Sequence, residues 1–522
     1  MISYITTAIP YVNARPHLGH ALELVQTDVL ARHRRLRGHT AQLLTGTDDN
    51  ASKNVAAAAA AAVPVEEFVR VNGDAFLGLA DRLAISADDR IRTASDPRHL
   101  PAVHRLWSAI SDDLYLRSYR GWYCPGCEQF YQPEELSDGL CPEHRTQPDD
   151  VIERNWFFAL STYQQRIEQL VESGAVLVQP DHRRTEVLSF IRSGLKDFSV
   201  SRPRSRSGGW GIPVPGDPDQ TVYVWADALI NYVSAAGYGN DPDRYRRLWV
   251  SADERLHVIG KGISRFHAVY WLGLLLAAGE PLPTRIAIHE YLQADGRKIA
   301  KSASIDRSAR PATPEDLLDR YGRDAVRWWL TSDVTPVGDT DFSEDRLRDR
   351  YTQDLANTIG NLVNRTVTLV RRGLGGHLRV RPEQGVPASP DRAGCPELVA
   401  SADLARGLPD AVDRALDAFD HRRACRAIVA AAAASNAAVE ASRPWRLVKP
   451  SAAGDSAASE QLNAILATLS INCHVIATEL QPFIPDGAAR LLSCLGDTPE
   501  NTGAPYDLTV GPAEPAFEVV RT

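Results

Sequence analysis

Methionine occurs once in this chain of 522 residues, at position 1, and composition offers no physical reason for its scarcity elsewhere. Cysteine is nearly as sparse: seven residues, an odd number, in a chain far too long to be a small disulfide-stapled scaffold. Three of the seven crowd between positions 124 and 141, which points to metal rather than disulfides. Long apolar runs are missing. No stretch approaches the roughly 18 uninterrupted apolar residues of a membrane span. The opening MISYITTAIP has neither the basic nor the apolar segment of a secretory leader. The expectation is a cytoplasmic protein with no membrane partner. Net positive charge is lacking as well: 58 Lys and Arg face 66 Asp and Glu, and a formal charge of −8 by itself argues against nucleic acid.

What is present suits a globular protein. Hydrophobic residues make up 44% and charged residues 24%, so neither a disordered nor a fibrous chain fits. At about 150 residues per domain, the length allows roughly three domains, each with its own core. Residues 3–8 are apolar and β-branched, PYVNARP breaks them, and Gly19–Arg37 carries helical periodicity closed by Gly38. A second strand is expected at Ala41–Leu44, followed by an Ala-rich helix near 56–62, so strands alternate with helices as in a parallel α/β sheet. From Trp122 to Asp150 the texture turns to Cys, Pro, Gly and acidic residues, too irregular for a core element and expected to be an insert. The α/β pattern resumes after Asn155, with a further strand and helix at 256–279. From about Glu344 the strands are expected to stop. Long amphipathic helices at 347–372, 404–440 and 459–480 point to an all-α bundle. The boundaries read as 1–117 with 151–343 for the split α/β domain, 118–150 for the insert and 344–522 for the helical part.

Three constellations carry chemistry. Pro16-His17-Leu18-Gly19-His20 lies at a strand-to-helix junction, where unpaired backbone N–H groups and the helix dipole favour an anion. Two imidazoles three residues apart, with a glycine between them to admit a phosphate, suit charge developing at phosphorus; read alone, they equally fit a solvent-facing helix start. About 280 residues later, RKIAKS places Lys298 and Lys301 among small residues, either a segment that folds over a polyphosphate or a solvated basic loop. The insert carries Cys124-x-x-Cys127 and, after thirteen intervening residues, Cys141-x-x-His144. Two such pairs close a tetrahedral structural zinc site, and an insert too small for a core needs a staple.

The pairing of HLGH with KIAKS resembles the two signatures of class I aminoacyl-tRNA synthetases. More closely, the chain resembles the methionyl-tRNA synthetase family over nearly its whole length, through TTAIPYVNARPHLGH, LLTGTDD, WYCPGCEQF, GWGIPVPGD, YVWADALINY, HVIGKGISRFHAVYW, KIAKS and Pro444-Trp445. The resemblance implies a Rossmann-like catalytic domain split by the zinc insert and followed by an anticodon-binding bundle. It implies activation of methionine by ATP with Mg²⁺, then transfer to tRNA(Met). It carries the catalytic roles to His17, His20, Lys298 and Lys301, and ATP binding to these with Pro16, Gly19, Gly260 and Ser302. The amino-acid pocket falls on Ile9, Tyr11, Trp225, Ala228, Leu229, Tyr232, Ile263 and His267, with Asp48 holding the ammonium. Trp225 and Tyr232, seven apart, can share a helical face. Anticodon reading falls on Asn361, Arg365 and Trp445, types that bond and stack unpaired bases. A monomer is the expectation.

The chain departs from the family pattern at three places. Gly262 stands where Asp is usual and would bond the ATP ribose, so Gly262→Asp is expected to lower the ATP KM if that contact is simply missing. Asp49, Asn50 and Ala51 replace Glu, His and Gly. Glu290 replaces Gly and puts a carboxylate near the nucleotide, which is unfavourable beside a triphosphate. A second reading therefore stands beside the ligase: a paralogue activating an amino acid for a biosynthetic ligation. Intact anticodon residues favour the ligase, whereas Gly262 and Glu290 favour the paralogue.

Overall fold

The computed structural model describes residues 1–126, 129–131, 133–142, 145–294, 297–298, 312–380, 395–496 and 506–517. The chain separates into two compact units, 1–291 with 298–314, and 292–297 with 315–522. The sequence division at 343/344 lies later than this one, and the helix Pro314–Ser332, kinked at Gly322, accounts for most of the interval.

The first unit is built on a six-stranded sheet of β1 (Ile2–Thr7), β2 (Thr40–Thr47), β3 (Asp89–Arg92), β4 (Leu177–Gln179), β5 (Glu254–Gly260) and β6 (Arg285–His289). Every pairing is parallel, in the order β3-β2-β1-β5-β6-β4. All five residues of β6 are buried, as befits a sheet covered on both faces, and its text RIAIH shows no alternation. Two helices matter most for the site. The first, α1 (Leu18–Leu36), follows β1, and Gly38 leaves it with φ +77°, the left-handed stop that lets the chain turn into β2. The second, α2 (Val224–Ala236), is buried along almost its entire length and ends at Gly237. The expected Ala-rich helix spans Ser52–Ala60.

The insert begins and ends in an antiparallel ribbon that the composition did not reveal. Leu114–Cys124 pairs with Asp149–Phe158 from Leu114↔Phe158 to Tyr123↔Asp149, and short strands Gln129–Tyr131 and Phe198–Ser199 flank it. The irregular texture covers only the ribbon's tip. Its alternating arms, such as LYLRSYRGWYC, lie largely outside the Cys- and Pro-rich text.

In the second unit, the helix expected over 404–440 is three helices: Pro396–Arg406, Leu408–Asp417 and His421–Ser442. Pro409 cannot supply an interior N–H and sits in the first turn of the second helix. Phe419 adopts φ +58°, and Asp420 caps the third helix by accepting from the Arg423 amide at 2.8 Å. The segment 347–372 runs helically from Glu344 through a wide π-helical stretch, Tyr351–Gly360, into Asn361–Leu374. The expected end of strands at 344 does not hold throughout, because His377–Val380 and Tyr506–Thr509 form an antiparallel pair beside the helices.

Candidate functional site

Strand order reverses between β1, which leads outward to β2 and β3, and β5, which leads the other way. In a parallel sheet the crevice outside the carboxyl ends of two such strands is where ligands bind. One lip is the 8–17 loop and the start of α1; the other is 260–263 after β5 and 289–291 after β6.

On the first lip the two histidines of HLGH cap α1 reciprocally. His17 Nδ1 accepts from the Gly19 amide at 3.1 Å, and His20 Nδ1 accepts from the His17 amide at 3.0 Å. With both Nδ1 atoms accepting, each neutral ring carries its proton on Nε2, directed away from the backbone. The rings stack with centroids 3.7 Å apart, and Phe76 meets the His20 ring edge-on. Gly19 has a steric reason of its own: a Cβ there would stand 2.9 Å from Cε1 of the capping His17 ring.

Behind this lip lies an aromatic pocket on α2 and the π-helical turn Phe266–Tyr270. Tyr11 meets Trp225 edge-on at 5.8 Å, and Trp225 stacks on Phe266 at 3.8 Å. Seven residues on, the Tyr232 hydroxyl lies 2.7 Å from His267 Nε2, and His267 Nδ1 lies 3.0 Å from the Ile263 carbonyl. A carbonyl only accepts, so Nδ1 carries the proton and Tyr232 donates to Nε2. Burial holds His267 neutral, pushing its pKa down to about 4, and burial also raises that of Tyr232. Ala228 and Leu229 are buried on the same helix, and Ile9 and Ile263 pack against this core. Trp225 and Tyr232 thus meet neighbouring residues, as their spacing predicts. Asp48 is 1% exposed, pairs with Tyr11 in an isolated parallel bridge and accepts from the Asn50 amide at 3.2 Å. A carboxylate beside an uncharged aromatic pocket can hold an ammonium group while the pocket takes an apolar side chain.

Sequence reading missed the support of this carboxylate. The Asn50 side chain donates to Asp227 at 2.8 Å, and His99, fully buried, bonds Asp227 and Ser234. Asn50 thus ties the Asp48 carboxylate to α2, a role no linear motif discloses because Asp227 lies 177 positions along the chain. Phe266 was also missed, although it adjoins His267 in the quoted string. Asp49 pairs with Arg92 at 3.4 Å, yet burial raises its pKa.

On the second lip Glu290 is the anion that the sequence places near the nucleotide, and it is paired within the protein. Its side chain is 1% exposed and pairs with Arg183 through two hydrogen bonds, with His182 at 2.9 Å and with Lys261 at 3.3 Å. Burial alone would raise its pKa; Arg183, His182 and Lys261 override burial and hold it at about 2. The charge is compensated inside the protein. His289 bonds Glu23 of α1 at 3.1 Å and the Glu290 carbonyl at 2.8 Å, which links the two lips.

Lys298 falls in the two-residue strand Arg297–Lys298, its side chain outside the described residues, as are Lys301 and Ser302 altogether. Cys127 and His144 lie outside them too. Cys124 and Cys141 are both fully buried in one small cluster with Tyr131 and Leu136, and no group of three metal-binding side chains occurs among the described residues. In the second unit Asn361 and Arg365 lie one turn apart on the helix Asn361–Leu374; Asn361 is exposed, and Arg365 pairs with Glu440 at 2.7 Å. Trp445 opens the next helix along from Glu440 and is 41% exposed, unusual for so large an apolar side chain.

The model of the family described as tRNA synthetases class I (M) matches residues 3–153 and 145–367. The chain belongs to this family. Among its relatives, the methionine–tRNA ligase of Brucella suis biovar 1 is 37% identical over 500 residues, covering 94% of this chain and 91% of that protein. The methionine–tRNA ligase of Mycobacterium bovis is 38% identical over 506 residues, covering 95% and 92%. Among solved class I synthetases, Mycobacterium tuberculosis methionyl-tRNA synthetase bound by methionyl-adenylate superposes with a TM-score of 0.87 at 35% identity, covering 99% of this chain and 100% of that one.

Proposed function

We propose that the chain is a methionine–tRNA ligase, which activates methionine with ATP and transfers it to tRNA(Met). The carrying observation is the geometry of the switch-point crevice. A reciprocal histidine cap that leaves the proton of each ring on Nε2 sits beside an uncharged aromatic pocket with a buried carboxylate at its rim. The whole-length match to a synthetase bound by methionyl-adenylate supports this reading.

Activation forms a bond from a methionine carboxylate oxygen to the α-phosphorus and breaks the bond to the β-phosphate oxygen, releasing pyrophosphate. In the second step the tRNA 3′-terminal hydroxyl attacks the carbonyl and AMP leaves. His17 and His20 donate through Nε2 to phosphate oxygens, and Lys298 and Lys301 neutralise the departing pyrophosphate; positioning and charge then suffice without a covalent intermediate. Asp48 holds the ammonium. Tyr11, Trp225, Tyr232 and His267, with Ile9, Ala228, Leu229 and Ile263, enclose the thioether. His267 spends its proton on Ile263 and its lone pair on Tyr232, so a charged side chain finds no partner there, and desolvation excludes it.

Zinc fits the insert. Two fully buried cysteines in a cluster with one tyrosine and one leucine make too little core to hold the tip, and Cys124, Cys127, Cys141 and His144 would supply a closed Cys3His set with a structural role. Asn361, Arg365 and Trp445 read the CAU anticodon. The enzyme is taken as a cytoplasmic monomer; among the described residues no helix is long and apolar enough to cross a membrane. The biosynthetic paralogue loses its main ground, because the anion at Glu290 is compensated.

The test is methionine-dependent ATP–pyrophosphate exchange together with charging of a CAU-anticodon tRNA, both abolished by His20→Ala or Lys301→Ala. Exchange with a different amino acid, or exchange without charging, overturns the reading.

A further inference from the structure

Gly262 is exposed at the carboxyl end of β5, on the second lip of the crevice. A Cβ built on it would lie 1.9 Å from the Tyr291 hydroxyl, with Tyr291 Cζ next at 3.3 Å. The volume that any side chain at 262 would enter is therefore already filled by a phenolic oxygen arriving from the end of β6. Its ring has two neighbours on this lip. A Cβ on Gly260 would stand 3.5 Å from Tyr291 Cε1, so the ring lies close over the strand end. The Lys261 ammonium sits 4.9 Å from the ring centroid and 3.3 Å from Glu290, which is itself fixed by Arg183 and His182. His289, between this lip and Glu23 of α1, ties the same segment to the helix that carries HLGH. Residues 260–262 and 289–291 thus form one built surface at the topological switch point, where a parallel sheet receives its ligand.

We propose that Tyr291 contacts the sugar of bound ATP through its hydroxyl, that Gly262 is glycine because this hydroxyl needs its space, and that Glu290 is the positioning residue that keeps Lys261 beside the ring. A phenol offers one donor and two acceptor lone pairs, which suits the vicinal hydroxyls of a ribose, themselves donors and acceptors. Gly262 and Glu290 then stop being two separate losses. They are two parts of one arrangement in which the segment after β6 replaces a side chain from the segment after β5. Gly262→Asp alone is accordingly harmful, the reverse of the expectation from sequence.

The proposal rests on the ligase reading for the identity of the nucleotide, and its test reads binding independently of turnover. Calorimetry measures ATP, 2′-deoxy-ATP and 3′-deoxy-ATP on the full chain and on Tyr291→Phe, Gly262→Asp and the double variant. The unsubstituted protein binds one deoxy analogue about threefold to tenfold more weakly than ATP, the span of one neutral hydrogen bond. Tyr291→Phe weakens ATP by the same factor and no longer distinguishes ATP from that analogue, a signature that a merely structural ring does not produce. Gly262→Asp weakens ATP further, and Gly262→Asp/Tyr291→Phe recovers at least part of the loss, since removing the oxygen leaves the ring carbon at 3.3 Å from the new Cβ. Discrimination retained in Tyr291→Phe overturns the sugar contact. ATP binding undiminished in Gly262→Asp overturns the steric coupling. Absence of methionine-dependent exchange in the unsubstituted protein overturns the ligase reading instead, and leaves the binding comparison readable.

Discussion

At the residue scale, Gly19 separates stability from activity. A new methyl would strike the His17 ring at Cε1 and at Nδ1, the cap acceptor, so the ring must swing away and the lost cap offsets alanine's helix preference of about 1 kcal/mol. Gly19→Ala is expected to change unfolding free energy by less than about 1 kcal/mol in urea melts. The exchange rate should fall about tenfold or more, because the displaced ring no longer aims Nε2. His267 supplies a pH dependence. Its folded pKa of about 4 lies below its ordinary 6.5, so the fold prefers the neutral ring. That stability is fully present above 6.5 and is lost as pH falls toward 4, because the unfolded chain takes up the proton first. His267→Gln should flatten the decline of thermal stability between pH 6.5 and 4 and raise the methionine KM. Glu290, held at about 2 against an ordinary 4.5, acts with the same sign lower down: Glu290→Gln should flatten the loss between pH 4.5 and 2. The partners of Glu290 are not legible from spacing. Arg183 and Glu290 are 107 positions apart, and only the folded chain reveals that the carboxylate is paired.

Elements were legible where local chemistry punctuates them. The helix after HLGH, its stop at Gly38 and the strand after it fall within a few residues of expectation, since β-branched runs, caps and a left-handed glycine act locally. The break of 404–440 into three helices was missed because apolar periodicity continues across it, although Gly407, Pro409 and the capping Asp420 are local signals that periodicity outweighed. Asp420→Ala should therefore cost about 1 kcal/mol in denaturant unfolding, with exchange unchanged. The ribbon Leu114–Cys124 with Asp149–Phe158 was missed for another reason: its pairing is long-range, and the loop text between its arms dominated the composition.

At the scale of the whole molecule, two compact units divide the chain, and the residues proposed for activation fall in the first. Trp445→Ala, in the second, should raise the tRNA KM about tenfold through the lost stack and leave pyrophosphate exchange intact; a parallel loss of both activities would contradict the division. Zinc belongs to this scale too. Purified protein should contain one zinc per chain, and Cys124→Ala should release it and slow tRNA charging more than exchange. The net charge of −8, which argued against nucleic acid, is a sum over both units and carries no information about one face.

By itself the sequence determined the family and the alternation of strands and helices, because these follow from local pattern and from strings that keep their order. Tertiary structure alone decided which charges are compensated and which spaces are already filled. Glu290 is harmless because Arg183, His182 and Lys261 surround it, and Gly262 lacks a side chain where the Tyr291 hydroxyl already stands. The physical reason is range. A backbone cap is set by neighbours within one turn, whereas ion pairing and excluded volume depend on groups that meet only after the sheet has brought the ends of β5 and β6 side by side.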